Sequence, residues 1–325
     1  MGNGKSGRGR WVAVGGSVFV VAALVTIVMV ATRPSGTQDA AGAPSSSSTP
    51  SVSTSASPPP TPATTPSTKP APRRPTLAPA STVNATLRKL AGQLPDGGVS
   101  VAALNTKTGA RFTFGATSGM RTGSVAKLFL LETVLLQHQD EGTQVSDYEM
   151  GLATPMIENS DNKAEYSLFL NAGGNEALED AFPRLGLRDT VPGVSDPALT
   201  TTDGSDGVTL VDNLVRTGSP LNTYSRSLAL GLMRNVESDQ RWGVSAVADR
   251  GTTVALKNGW LSVDNSNGEG ENDDGRWLVN SVGVVTVHGQ QVVLAAFTQH
   301  GPDFVSGIHL VEALVKAITP AVVAQ

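Results

Sequence analysis

The 325-residue chain has no cysteine, few aromatic residues (5%) and few charged ones (16%). Without cysteine there are no disulfides, no thiolate nucleophile, no Cys-ligated zinc or iron–sulfur cluster and no lipidated cysteine. So few aromatic and charged side chains imply that part of the chain is not globular. Four histidines, His138, His288, His300 and His309, show no metal-ligand spacing, and no cofactor motif stands in a fitting context. Gly2-Asn3-Gly4-Lys5-Ser6-Gly7 fits G-x-G-x-x-G, but no strand precedes it and no βαβ unit surrounds it. The acidic run 264–275 lacks EF-hand spacing and reads as a solvated hairpin loop.

Charge is split along the chain. Residues 1–95 carry nine Lys/Arg and one acid, whereas 96–325 carry fifteen Lys/Arg and twenty-seven acids. An acidic body argues against nucleic acid as a partner, because phosphate binding needs a basic footprint.

The basic excess organises the N-terminal part. Residues 1–10 hold Lys5, Arg8 and Arg10 and form a basic, cytoplasmic head. An uncharged apolar stretch, Trp11–Thr32, follows. As a helix it spans about 33 Å, enough for a hydrocarbon core of about 30 Å. It reads as a single-pass signal anchor, or as a cleaved signal that leaves a secreted protein; its length favours the anchor. Three positive charges before it and Arg33 after it place the body outside the cell membrane. Residues 33–82 are rich in Ser, Thr and Ala, and twelve of the chain's twenty prolines lie between Pro34 and Pro79. Such a segment buries no core and reads as a disordered stalk.

The body, 83–325, is long enough for one sizeable core. Periodicity predicts a helix over 83–93, strands over 98–104 and 110–115, and helices over 124–139, 147–159, 162–171, 175–185, 208–217 and 223–236. Strands over 253–261, 277–287 and 291–299 and a helix over 306–318 close the chain. The two strand groups, joined, make one five-stranded antiparallel sheet flanked by the terminal helices, with the helical middle as a second lobe. That is an α+β fold with a cleft between lobes.

Three short motifs fall where that cleft is expected. Ser124-Val-Ala-Lys127 opens a helix, so the Lys127 amine lies one turn from the Ser124 hydroxyl. A serine becomes a useful nucleophile when a base takes its proton, and lysine is such a base; helix capping by Ser124 is the plain alternative. Ser160-Asp161-Asn162 lies between two helices, where Ser160 relays a proton and Asn162 binds a substrate amide, or where all three serve the turn. Lys257-Asn258-Gly259 lies on a strand. A lysine inside an apolar strand is unusual, and Gly259 permits close backbone approach. The N–H groups of Trp260 and Ser124 form a candidate oxyanion hole.

Together, in this order on helix, loop and strand, the motifs resemble the S-x-x-K, S-D-N and K-x-G set of class A β-lactamases and penicillin-binding proteins. The resemblance covers nearly all of 83–325. It implies a β-lactamase/transpeptidase-like fold and a serine acyl-enzyme without a cofactor, acting on cell-wall peptides or β-lactams. Ser124, Lys127, Ser160, Asn162 and Lys257 are then catalytic, and Asn258 and Gly259 contact substrate. Two departures stand out. Asn258 occupies a place where the family has Ser or Thr. The family's deacylating glutamate follows S-D-N in an E-x-x-x-N loop, yet residues 181–235 contain no Glu. Asp189, Asp196 and Asp203 are candidates by proximity alone. Slow deacylation is therefore expected. The alternative is a catalytically silent domain that binds cell-wall peptide or a protein partner.

Overall fold

The computed structural model describes residues 75–95, 98–194, 196–263 and 275–324. The expected head, the Trp11–Thr32 span, most of the stalk and most of the 264–275 run lie outside the described residues.

Five strands form one antiparallel sheet: β1 (Val99–Asn105), β2 (Arg111–Gly115), β5 (Ala255–Val263), β6 (Arg276–Val287) and β7 (Gln290–Gly301), in the order β2-β1-β7-β6-β5. The β6–β7 hairpin closes through His288 and Gly289, both left-handed (φ 49° and 70°), as a two-residue primed turn requires. The Asp249 carboxylate accepts hydrogen bonds from both turn N–H groups, at 3.0 and 2.8 Å. A separate two-stranded pair, β3 (Met120–Arg121) and β4 (Thr201–Thr202), is too short to leave a periodic signal.

The terminal helices α1 (Ala80–Ala91) and α8 (Phe304–Ile318) cover one sheet face, burying Val83 and Leu87 with Leu310, Val311 and Leu314. The first turn of α1 starts three residues before the expected start of the body. Pro79 stands at its N-cap, a position that costs no helical hydrogen bond, and Ala78 N–H donates to Pro320 O at 2.8 Å. Phe304–Ala321 is apolar and long enough to cross a membrane by composition, but here it packs on the sheet.

The other sheet face meets the helical middle: α2 (Ala126–Glu141), α3 (Asp147–Glu158), α4 (Asn162–Asn171), α5 (Gly174–Arg184), α6 (Gly204–Val215) and α7 (Thr223–Arg234). Helix α6 starts earlier than its periodicity suggests. Asp203 caps it, accepting from Asp206 N–H at 2.7 Å, and Gly204 lets it approach the β1 backbone.

Helix α2 runs through the middle of the helical lobe. Every residue from Ala126 to Leu136 is buried, so no amphipathic stripe is visible in its sequence. Among them is Glu132. Its Oε2 receives a long 3.4 Å hydrogen bond from Asn213, and its Oε1 has no partner among the described residues. Burial raises this carboxyl well above the usual range, against the Asn213 hydrogen bond and the Arg216 charge. The folded state therefore holds a proton that the unfolded chain releases near its normal pKa. That stabilisation is present in full below the unfolded value and is lost as pH rises through the folded one. Glu132→Gln keeps the shape without the titration. Its urea stability should match wild type near pH 4 and exceed it by about 1 kcal/mol or more at pH 8. Parallel stability curves would show that Glu132 is not the linked group.

Candidate active site

The cleft forms where the start of α2, the α3–α4 turn and the edge strand β5 meet. Gly123–Val125 precede α2 as a tight 3-10 turn that carries Ser124 to the cleft. One turn on, Lys127 is fully buried, and its Nζ donates to Ser124 Oγ at 2.8 Å. The same Nζ donates to Asn162 Oδ1 and pairs with Glu165 Oε2, both at 2.8 Å. Three acceptors match the three hydrogens of an ammonium.

The S-D-N turn presents its side chains by a strained route. Asp161 caps α4, accepting from Ala164 N–H at 2.8 Å, and so places Asn162 and Glu165 on one helical face. Ser160, just past the end of α3, has φ 60°, a left-handed conformation usually left to glycine. Its hydroxyl receives a 3.0 Å hydrogen bond from Lys257 Nζ, which also donates to Asn258 O at 2.9 Å. Burial drives the Lys257 amine well below the normal lysine range; the Lys127 charge pushes the same way and Glu165 opposes both.

The oxyanion candidates also meet. A Cβ on Gly259 would come within 2.9 Å of Ser124 N and 2.4 Å of Thr122 O, and one on Gly123 within 3.1 Å of Trp260 N. The backbones of Gly123–Ser124 and Gly259–Trp260 are thus in close contact. Asn280 on β6 holds the approach to Ser124, its amide donating to Arg121 O and Thr122 O at 2.8 and 2.9 Å. The Trp260 ring packs against both Trp242 and Phe304, with centroids 6.1 and 5.7 Å away, which anchors this edge of the sheet.

Asn258 stands apart. Strand alternation turns its side chain to the opposite face from Lys257, where it is buried and donates to Gln240 O at 2.7 Å. The expected substrate contact by this side chain is corrected accordingly. Of the loop aspartates, Asp203 caps α6 and Asp189 N–H donates to Asp206, both away from Ser124, whereas Asp196 lines the Ser124 cavity of about 260 Å³. Glu165 and Asn280 were missed by the sequence reading. Glu165 had one readable signal, its i+3 spacing from Asn162.

The family model of the beta-lactamase enzyme family matches residues 136–322, more than half of the chain. The chain belongs to the beta-lactamase enzyme family. The match includes the S-D-N and K-x-G motifs and starts after Ser124 and Lys127. The fold is that of this family's solved structures. PBP-A is 21% identical, covering 75% of this chain and 97% of that one, with a TM-score of 0.61. The extended-spectrum β-lactamase TLA-1 is 15% identical over 73% and 97% of the two chains, with a TM-score of 0.61. A curated relative, the putative lipoprotein LppW of Mycobacterium tuberculosis, is 33% identical over 94 residues, and the match spans 30% of that protein's length.

The backbone contact at Gly259 gives a direct test. Gly259→Ala places a methyl against the backbone of Thr122–Val125. It should slow labelling of Ser124 by a β-lactam at least a hundredfold, because an oxyanion donor is worth roughly 10²–10³. A stopped-flow labelling rate within threefold of wild type would show that this contact does not set the oxyanion geometry.

Proposed function

We propose that this β-lactamase-family protein is a serine acyl-enzyme that reacts with β-lactams or cell-wall peptides through Ser124. The observation that carries this reading is the 2.8 Å contact between Lys127 Nζ and Ser124 Oγ, beside the backbone N–H groups of Ser124 and Trp260. The Ser124 proton moves to the Lys127 amine as Oγ bonds to the substrate carbonyl carbon. Asn162 and Glu165 hold that amine in place throughout. The developing oxyanion lies between the two N–H groups. The amide C–N bond then breaks, and the leaving nitrogen takes a proton from Ser160, resupplied from Lys257. A mutant of PBP-A has been solved as an acyl-enzyme complex with penicillin G, which supports β-lactams as ligands of this cleft. Gly259 contributes room rather than a side chain.

The extracytoplasmic, membrane-anchored placement belongs to this proposal. It rests on the basic head and apolar Trp11–Thr32, and the name of the mycobacterial relative, a putative lipoprotein, agrees with it. In this chain the apolar span, not a lipidated cysteine, is the proposed anchor.

A fluorescent penicillin tests the reading. Wild-type protein should retain about one covalent label per chain through denaturing electrophoresis, and Ser124→Ala none. A label that survives in Ser124→Ala, or a folded wild type that takes no label, would sink the proposal; the latter favours the silent binding domain.

A further inference from the structure

The deacylation half of the cycle needs a carboxylate poised over a water, and the loop that follows the S-D-N segment has no glutamate. The cleft contains one from another element. Glu165 lies on α4 and is 4% exposed. Its Oε2 is held by Lys127 Nζ at 2.8 Å, whereas its Oε1 is buried with no hydrogen-bond partner among the described residues. An unpaired buried acceptor costs about 1–3 kcal/mol, so this oxygen calls for a donor. Glu165 and Ser124 line one cavity, with the polar side chains of Asn162 and Asp196 beside them, and it is large enough for water. Ser124 Oγ and Glu165 Oε2 each lie 2.8 Å from the same nitrogen, so they are separated by at most twice that distance. One water hydrogen-bonded to the carboxylate reaches an acyl carbon on Oγ across such a span.

We propose that Glu165 is the general base of deacylation, activating the water that hydrolyses the Ser124 ester; this rests on the acyl-enzyme reading above. The water oxygen bonds to the acyl carbon while its proton passes to Glu165. The bond between the acyl carbon and Ser124 Oγ then breaks. The proton on Glu165 crosses the Lys127 nitrogen, which touches both groups, to Oγ. The product is a free carboxylic acid, Ser124 and Glu165 return to their starting protonation, and the proton that Lys127 took up in acylation passes to Lys257, which gave one up.

The environment suits the role. Burial raises the Glu165 carboxyl above its ordinary range; Lys127 draws it back, and Asp196 adds to the rise. A base nearer neutrality accepts a proton more readily. Asp196 is the weaker rival: it is exposed, and its Oδ1 accepts from Ala198 N–H at 2.9 Å. A glutamate on α4 replaces the expectation of a stalled adduct with that of a hydrolysed one.

The test follows the adduct itself. Full-length wild type and Glu165→Gln are acylated with penicillin G, and intact mass is read over time. Both should form a one-to-one adduct, and the variant's should decay roughly 10²–10⁴ times more slowly. Hydroxylamine, which needs no base, should then shorten the variant's adduct lifetime; that rescue separates a lost base from a distorted cleft. Equal decay of the two adducts overturns the role of Glu165 and leaves the serine reading intact. No adduct on wild type overturns both. If the variant does not fold, the wild-type decay decides: a solvent deuterium isotope effect well above one supports proton transfer to a base, and its absence overturns it.

Discussion

A single buried amine connects the chemistry of this protein to its packing. Lys127 has no exposed surface and three oxygen partners at 2.8 Å, one on the turn before its own helix and two on α4. A buried cation is tolerated when every hydrogen finds an acceptor, and removing one partner of a buried pair typically costs about 3–5 kcal/mol. The contacts that position the amine beside Ser124 therefore also fix α4 against α2. When the amine is neutral, the same geometry holds with one bond reversed, the Ser124 hydroxyl donating to nitrogen. Proton transfer then needs little movement.

The sheet completes the site from the other side through backbone rather than side chains. Gly123 and Gly259 let two chain segments touch, and Asn280 fixes the segment ahead of Ser124 to β6. The second buried lysine, Lys257, lies near enough to feel both Lys127 and Glu165. The two lysines and Glu165 make a small buried charge network. The strained backbone of Ser160 costs stability but keeps one hydroxyl on that network.

Much of this was legible in the sequence. The helices from 147 to 171 and the strands from 255 onward lie within two residues of their predicted extents because capping residues and alternation mark them clearly. The five motif side chains converge because helix and strand periods fix their directions. Other features left no local trace. The burial of α2 on all sides erases its stripe, and the β3–β4 pair is two residues long. Asn258 was misread because the resemblance carried both Lys257 and Asn258 to the site, whereas adjacent residues on a strand face opposite ways. Glu165 was overlooked because the resemblance places the base within 181–235, on a different element. Its spacing from Asn162 predicts a shared face, but its contact with Lys127 depends on how α4 docks on α2.

The central claim is that the Lys127 amine activates Ser124. A Lys127→Met, Glu165→Gln double variant removes both buried charges together, so neither is left unpaired. We expect it to fold, with a melting temperature close to wild type, and to acylate with a fluorescent penicillin roughly 10²–10⁴ times more slowly. A folded double variant that acylates within tenfold of the wild-type rate would contradict the account.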